Sequence, residues 1–195
     1  MLSKVAVIVE TREHDALPFV LNNVMSVLPE DYSLQIFHGT SNYEYVYDSV
    51  ENDMMLLDKE VEFTNLNIDS ISADDSSLEI MLTKDFWNKV VGENVLYFEC
   101  DTMLCPNSEF KIEDFENFNY IGGYWGNELG MMNQKYNRVM NGGLSFRKKS
   151  FMLDIIENKL QSYLDNGGNP CEDYFVSEMV EDKPTYEEVL SFSID

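Results

Sequence analysis

Basic residues are scarce in this 195-residue sequence, and cysteine and histidine are scarcer still. There are 13 Lys and Arg against 36 Asp and Glu, a formal net charge of −23. A surface that acidic repels phosphate backbones and anionic headgroups, which excludes nucleic acid and membrane surfaces as expected partners. A nucleotide ligand is not excluded, because a bound cation inverts the local field. The three cysteines, Cys100, Cys105 and Cys171, are odd in number and form no C-x-x-C. That argues against a disulfide framework and against zinc, and points to reduced thiols in a cytoplasmic compartment. His14 and His38 each have a plainer reading in their segments, His38 as a turn residue, so a Cys–His pair is not expected. The apolar run at Val5–Val9 is too short for a secretory signal or a membrane span, and no membrane insertion is expected. No repeat, low-complexity tract or long linker divides the chain, which reads as one domain over residues 1–195.

What is present is an alternation of periods. Lys4–Val9 is a continuous apolar run, the pattern of a central parallel strand. The turn after it, Glu10–His14, contains no glycine, so a G-x-G-x-x-G dinucleotide fingerprint is absent. From Asp15, a candidate N-cap, Leu17, Val20, Leu21, Val24, Val27 and Leu28 recur at helical spacing, with Pro18 in the first turn and Pro29 at the end. Ser33–Phe37 reads as a second strand, Glu44–Asp58 as a helix and Val61–Leu66 as a third strand. Ser70–Ser77 reads as an acidic loop. Leu78–Val90 reads as a helix closed by Gly92, and Asn94–Phe98 as a fourth strand. The order β-α-β-α-β-α-β implies a parallel, doubly wound sheet flanked by helices. The second half is less regular. Asn127–Met140 reads as a mobile loop, Val139–Phe146 as a strand, Arg147–Leu164 as a helix and Cys171–Val180 as a helix start. Tyr186–Ile194 reads as a short helix and strand.

The chemistry centres on Asn94–Cys105, NVLYFECDTMLC. If the strand continues through Glu99-Cys100-Asp101, side chains at i and i+2 share a face, so Glu99 and Asp101 point the same way just past its carboxyl end. That edge is where open α/β sheets bind ligands. Two carboxylates side by side repel, and a divalent cation, Mn²⁺ or Mg²⁺, would relieve the repulsion while holding a diphosphate. The plainer reading is a solvated acidic turn. Further on, Glu172 and Asp173 follow a Gly-Gly-Asn-Pro loop and open a helix. There they are either dipole-complementing charges, worth up to about 1 kcal/mol each, or a base. Trp125, beside Gly122, Gly123 and Gly126, reads as core or as a platform for a sugar.

Four stretches in order, VAVIVETR, YFECD, MNGGLSFR and CEDYF, resemble a small GT-A-type nucleotide-sugar glycosyltransferase. The group they match has ETR after the first strand, Q/E-x-D in the middle, NGG-[LF]-S-[LF]-R, and P-E-D before an aromatic. PTYEEVLSFSID resembles its late segment. The resemblance implies a single-domain, Rossmann-like GT-A fold with a mostly parallel sheet. It also implies transfer of a sugar from a nucleotide-diphosphate donor, UDP-sugar favoured, to a glycan or other hydroxyl acceptor. By that resemblance Thr11 and Arg12 contact the base, and Glu99 and Asp101 hold the metal and the donor diphosphate in D-x-D fashion. Asn141, Gly142 and Gly143, with Trp125, approach sugar or acceptor. Asp173 or Glu172 is the catalytic base of an inverting reaction. Two departures stand out. Glu99 replaces the first Asp, which makes Asp101 the stronger ligand candidate. No late histidine is present, so either water completes the metal shell or the natural chain continues past Asp195. The rival expectations are a decayed transferase that binds nucleotide or sugar without turnover, and a phosphatase-like D-x-D-T domain. In the latter, Glu99 would stand where the nucleophilic Asp belongs.

Overall fold

A computed structural model describes residues 2–69, 80–124 and 139–193. Among these, six strands form one sheet in the order β3-β2-β1-β4-β6-β5. They are β1 (Leu2–Glu10), β2 (Ser33–His38), β3 (Val61–Asn65), β4 (Gly92–Phe98), β5 (Tyr120–Tyr124) and β6 (Met140–Lys148). β1 to β4 are parallel, while β6 runs antiparallel to both β4 and β5. The helices are α1 (Leu17–Val27), α2 (Tyr43–Glu51), α3 (Lys84–Lys89), α4 (Lys149–Asn158), α5 (Leu160–Asp165), α6 (Glu172–Met179) and α7 (Tyr186–Phe192). A 3₁₀ turn covers Ile112–Phe115.

The alternation of side chains along β1 divides the core in two. Val5 and Val7 pack with Phe86 and Trp87 of α3, Met152 and Ile155 of α4 and Phe175 of α6. Ala6 and Ile8 pack with Leu17, Leu21 and Val24 of α1 and Val46 of α2. Both sheet faces are therefore covered, which is why β1 is apolar throughout rather than alternating. One buried polar residue is built into this: Gln35 of β2 donates to Thr64 Oγ1 and the Lys89 carbonyl and accepts from the Val91 amide. Among the described residues no helix is long and apolar enough to cross a membrane.

Several local expectations are corrected. Asp15 does not cap α1. Ala16 occupies that position without a side-chain cap, and His14 Nδ1 accepts from the Ala16 amide instead. α2 stops at Glu51, and Asp53 turns the chain by accepting from the Met55 amide. The helix expected over Leu78–Val90 is interrupted at Thr83. Its hydroxyl donates to the Ile80 carbonyl and accepts from the Phe86 amide, starting α3. Gly92 lies inside β4, where a Cβ would stand 2.7 Å from Val5 Cγ1, so the glycine serves close strand approach and not a helix end. Arg147 belongs to β6 and not to the following helix, which itself breaks at Lys159 into α4 and α5. His38 is the last residue of β2, buried against Tyr43. After α7, Ser193 accepts a single backbone hydrogen bond from Tyr124, and no strand forms there among the described residues. Trp125 and most of the Asn127–Met140 loop lie outside the described residues, as does the Ser70–Ser77 loop.

Candidate functional site

Because β1 to β4 are parallel and β6 runs the other way, the ends of the first four strands and the start of β6 share one edge of the sheet. Most of the chemistry-bearing residues of the sequence gather there. β4 ends at Phe98, where the sequence placed its end, and does not continue through Glu99-Cys100-Asp101: Glu99 to Thr102 form a turn closed by the Thr102 amide on the Glu99 carbonyl at 3.0 Å. The Glu99 amide also donates to Thr102 Oγ1 at 3.2 Å. The carboxylates therefore reach the edge from a turn and not from one strand face. Glu99 is half-buried and Asp101 exposed. Burial raises the proton affinity of Glu99 above the ordinary carboxylate value, and the charge of Asp101 raises it further, against the pull of Arg147. Tyr97 Oη faces Glu99 Oε1 at 3.4 Å.

Opposite this turn lies the start of β6. Phe98 pairs with Leu144, which sets Glu99 against Gly143. A Cβ on Gly143 would stand 3.2 Å from Glu99 Oε2 and 3.1 Å from Asn141 Oδ1. Asn141 Oδ1 accepts from the Gly143 amide at 2.7 Å, within the irregular first part of β6, where the register against β5 shifts. Gly142 meets the amino end of α6. Its amide donates to Asp173 Oδ1 at 3.0 Å. A Cβ there would stand 2.5 Å from that oxygen, 2.7 Å from Arg147 Nη2 and 2.9 Å from Glu172 Oε2. Only a glycine lets the strand pass this close to the two carboxyls. Gly167, at φ +79°, turns the chain after α5 into the loop that delivers them.

The residue that organises this corner is Arg147. It and Glu172 are both 0% exposed. Nη1 binds Glu172 Oε1, Nε donates to Ser145 Oγ at 2.8 Å, and Nη2 donates to the Gly142 carbonyl at 3.1 Å. The guanidinium lies over the rings of Tyr97 and Tyr120, at 5.1 and 5.3 Å. Glu172 Oε2 is buried with no fixed donor among the described residues, and the group facing it is the carboxyl of Asp173. Burial, then the charge of Glu172, pushes the Asp173 carboxyl up to about 8.

Thr11 and Arg12 lie at the same edge, at the end of β1, and most of their geometry is internal. Glu10 is buried and accepts from the Arg12 backbone amide at 2.8 Å and from its guanidinium at 2.9 and 2.8 Å. It also accepts from the Cys100 thiol at 3.2 Å. Burial raises the proton affinity of Glu10, but these hydrogen bonds outweigh it and hold the carboxyl below its ordinary value. Asn42 ties the turn down, donating to the Glu10 and Arg12 carbonyls at 3.0 Å and accepting from the Gly39 amide at 2.9 Å. The Arg12 side chain remains 59% exposed. Arg12 is thus the partner of a buried carboxylate first. Glu10, Asn42, Tyr97, Tyr120, Ser145 and Arg147 were not singled out as site residues from the sequence. Among the described residues no three of His, Cys, Asp and Glu are arranged to hold a metal ion.

The mostly parallel sheet with one reversed strand, covered by helices on both faces, is the fold of GT-A glycosyltransferases. Solved structures agree. The chain superposes on the glycosyltransferase GlyE of Streptococcus pneumoniae TIGR4 with a TM-score of 0.58 at 9% identity, over 94% of this chain and 44% of that one. It superposes on the galactosyltransferase LgtC, solved with donor and acceptor sugar analogues, with a TM-score of 0.54 at 13% identity, over 97% and 72%. For the mannosyltransferase PcManGT of Pyrobaculum calidifontis, solved with GDP-Man and Mn²⁺, the values are 0.51 and 13%, over 80% and 47%. The chain therefore spans less than half the length of GlyE and of PcManGT. In sequence, residues 60–195 match the family described as "Protein of unknown function (DUF5672)", and the chain belongs to that family. No curated protein matches it.

Proposed function

We propose that this chain transfers a sugar from a nucleoside diphosphate donor to an acceptor hydroxyl, with inversion and with the help of a divalent cation. The observation that carries the reading is the meeting of three things at one sheet edge: the Glu99–Asp101 turn, the close-packed glycines of β6, and a half-buried carboxyl with raised proton affinity at Asp173. A carboxyl with perturbed titration among convergent polar groups is a candidate for acid–base chemistry. The fold likeness supports the class, and the donors named for PcManGT and LgtC suggest the substrate class.

In this scheme Asp173, once ionised, takes the proton of the acceptor hydroxyl. The hydroxyl oxygen then bonds to the anomeric carbon as the bond from that carbon to the diphosphate breaks, its electron pair leaving with the diphosphate. Glu172 Oε1 is bound to Arg147, which leaves Asp173 as the base. Glu99 and Asp101 are the residues that would hold Mn²⁺ or Mg²⁺. Two carboxylates are a short protein shell, and phosphate and water oxygens would complete it, as is usual for Mg²⁺-type sites. Their mutual repulsion fits a cation between them. The cation would supply charge neutralisation for the departing diphosphate. Asn141, Gly142 and Gly143 allow backbone to approach the sugar. Thr11 and Arg12 lie where the base of the nucleotide would sit, UDP favoured.

The test is a thermal-shift panel of UDP- and GDP-sugars with and without Mn²⁺, followed by donor hydrolysis and transfer assays. A ligand present at 100 times its dissociation constant adds about 2.7 kcal/mol of stability. Stabilisation by a nucleotide sugar with turnover supports the transferase. Stabilisation without turnover favours a decayed binding module, for which the Glu99 replacement and the two-carboxylate shell are the motive. No stabilisation by any nucleotide sugar removes both.

A further inference from the structure

The proposed chemistry uses Asp173 but gives no task to the largest buried cation. Burying a guanidinium is costly, and Arg147 is held on every side: by Ser145, Glu172, the Gly142 carbonyl and two tyrosine faces. That fork fixes which oxygen of Glu172 is used. Oε1 goes to Arg147, and Oε2 is left beside Gly142, where an added Cβ would meet it together with Asp173 Oδ1 and Arg147 Nη2. Two carboxylates this close and this buried cannot both carry charge cheaply, and a single arginine neutralises only one of them.

We propose that Arg147 is a positioning residue: by holding one oxygen of Glu172 it presents the other to Asp173, and the two carboxyls hold one shared proton at the sheet edge. The inference rests on the reading of Asp173 as the base and states what sets its proton affinity. Asp173 is faced by Glu172 and Cys171 from its own helix end, by Arg147 and the Gly142 amide from β6, and by Tyr120 from β5. Glu99 and Tyr97 of the β4 end act on the same cluster through Arg147 and Glu172. Arg147 is the only cation in that set. Without its fork, Glu172 Oε2 has no reason to stay aimed at Asp173.

The experiment follows the ¹³Cγ carboxyl signals of labelled aspartate across pH in the wild-type protein, with the Asp173 signal assigned by its loss in Asp173→Asn. The Asp173 signal is expected to titrate near the value of about 8 that burial and Glu172 give it. Arg147→Lys keeps the charge and loses the fork. In that variant, with folding checked by circular dichroism, the proton affinity of Asp173 is expected to fall about tenfold. A merely structural arginine would leave the titration of a folded variant unmoved. The proposal is overturned if no wild-type aspartate titrates above the ordinary carboxylate range, or if folded Arg147→Lys titrates as the wild type does. If Arg147→Lys does not fold, the wild-type titration decides alone. Neither measurement needs a donor or acceptor, so a protein that transfers no sugar but holds the shared proton defeats the transferase reading alone. A transferase with an ordinary Asp173 defeats only this inference.

Discussion

Replacing Asp173 by asparagine should stabilise the protein, and increasingly so as pH rises. The ordinary value of the carboxyl is 3.8, and the folded protein raises it to about 8. Between those values the folded chain holds a proton that the unfolded chain has lost. The native state therefore binds more protons, and stability falls as pH climbs through that window. At about 1.4 kcal/mol per pH unit, the wild type forfeits on the order of 5 kcal/mol between pH 4 and pH 9 from this site. The asparagine amide resembles the protonated carboxyl. Its Oδ1 can still accept from the Gly142 amide, and its NH₂ can donate to Glu172 Oε2, but it never ionises. Urea denaturation of both proteins at pH 5, 7 and 9 reads the difference. Near pH 5 the two should be close, and at pH 9 the variant should lead by several kcal/mol. Glu99, also raised, and Glu10, lowered, tilt both curves alike and cancel in the comparison. Parallel curves across the range would refute the argument, because they would mean that Asp173 ionises in the fold as easily as in water. The same variant should lose about 10²- to 10⁴-fold in transfer to acceptor with little change in donor binding.

Arg147→Met should cost about 3–5 kcal/mol by stranding the buried Glu172 charge, and Arg147→Met with Glu172→Leu should recover much of that in urea melts. Arg12→Ala should cost about 1–2 kcal/mol, discounted for its exposed guanidinium, through the loss of hydrogen bonds to buried Glu10. Since Glu10 is held below its ordinary 4.5, that contribution is present above this value and lost as pH falls below it, so variant and wild type should converge in acid. Calorimetry with UDP then tells whether Arg12 also meets the nucleotide: an unchanged dissociation constant restricts it to Glu10. Asp101→Asn, at an exposed position, should leave the urea midpoint within about 0.5 kcal/mol and abolish Mn²⁺-dependent stabilisation by nucleoside diphosphates, and persistence of that stabilisation would end the metal role. Gly142→Ala should cost about 1–3 kcal/mol, because the new Cβ falls on Asp173 Oδ1, Arg147 Nη2 and Glu172 Oε2, and a variant as stable as the wild type would contradict that packing.

The sheet was legible because its first half obeys local rules. The apolar run of β1, the helical spacing of Leu17 to Val24 and the Asn94–Phe98 run each declare a period within a few residues. The carboxylates of the site were visible too, as Glu99-Cys100-Asp101 and Glu172-Asp173. Their settings were not, because those depend on partners far away in sequence. Arg147 begins a run of three basic residues, RKK, that reads as a helix entry. It is in fact a strand residue, and what makes its burial tolerable is Glu172, 25 residues on, together with rings from β4 and β5. In the same way the turn after β1 is tied down by Asn42, about 30 residues later, and no local pattern carries that.

One signal was nevertheless present. In GGLSFR the residues Gly143, Ser145 and Arg147 alternate with Leu144 and Phe146, and alternation by two is strand periodicity. A small, a polar and a charged residue on one face of a strand, between apolar ones, would be costly unless that face meets buried polar partners. The neighbouring β4 carries matching residues: Tyr97 pairs with Ser145, and Glu99, in the turn just after the strand, lies opposite Gly143. Although Arg147 itself is paired with Val95, the polar face of β6 meets Tyr97 in the ladder and Glu99 just past the end of β4, and that meeting marks a buried polar seam. That seam runs from the Glu99 turn to the amino end of α6, so the residue that closes it, Arg147, is where the carboxylates of β4 and of α6 come under one charge.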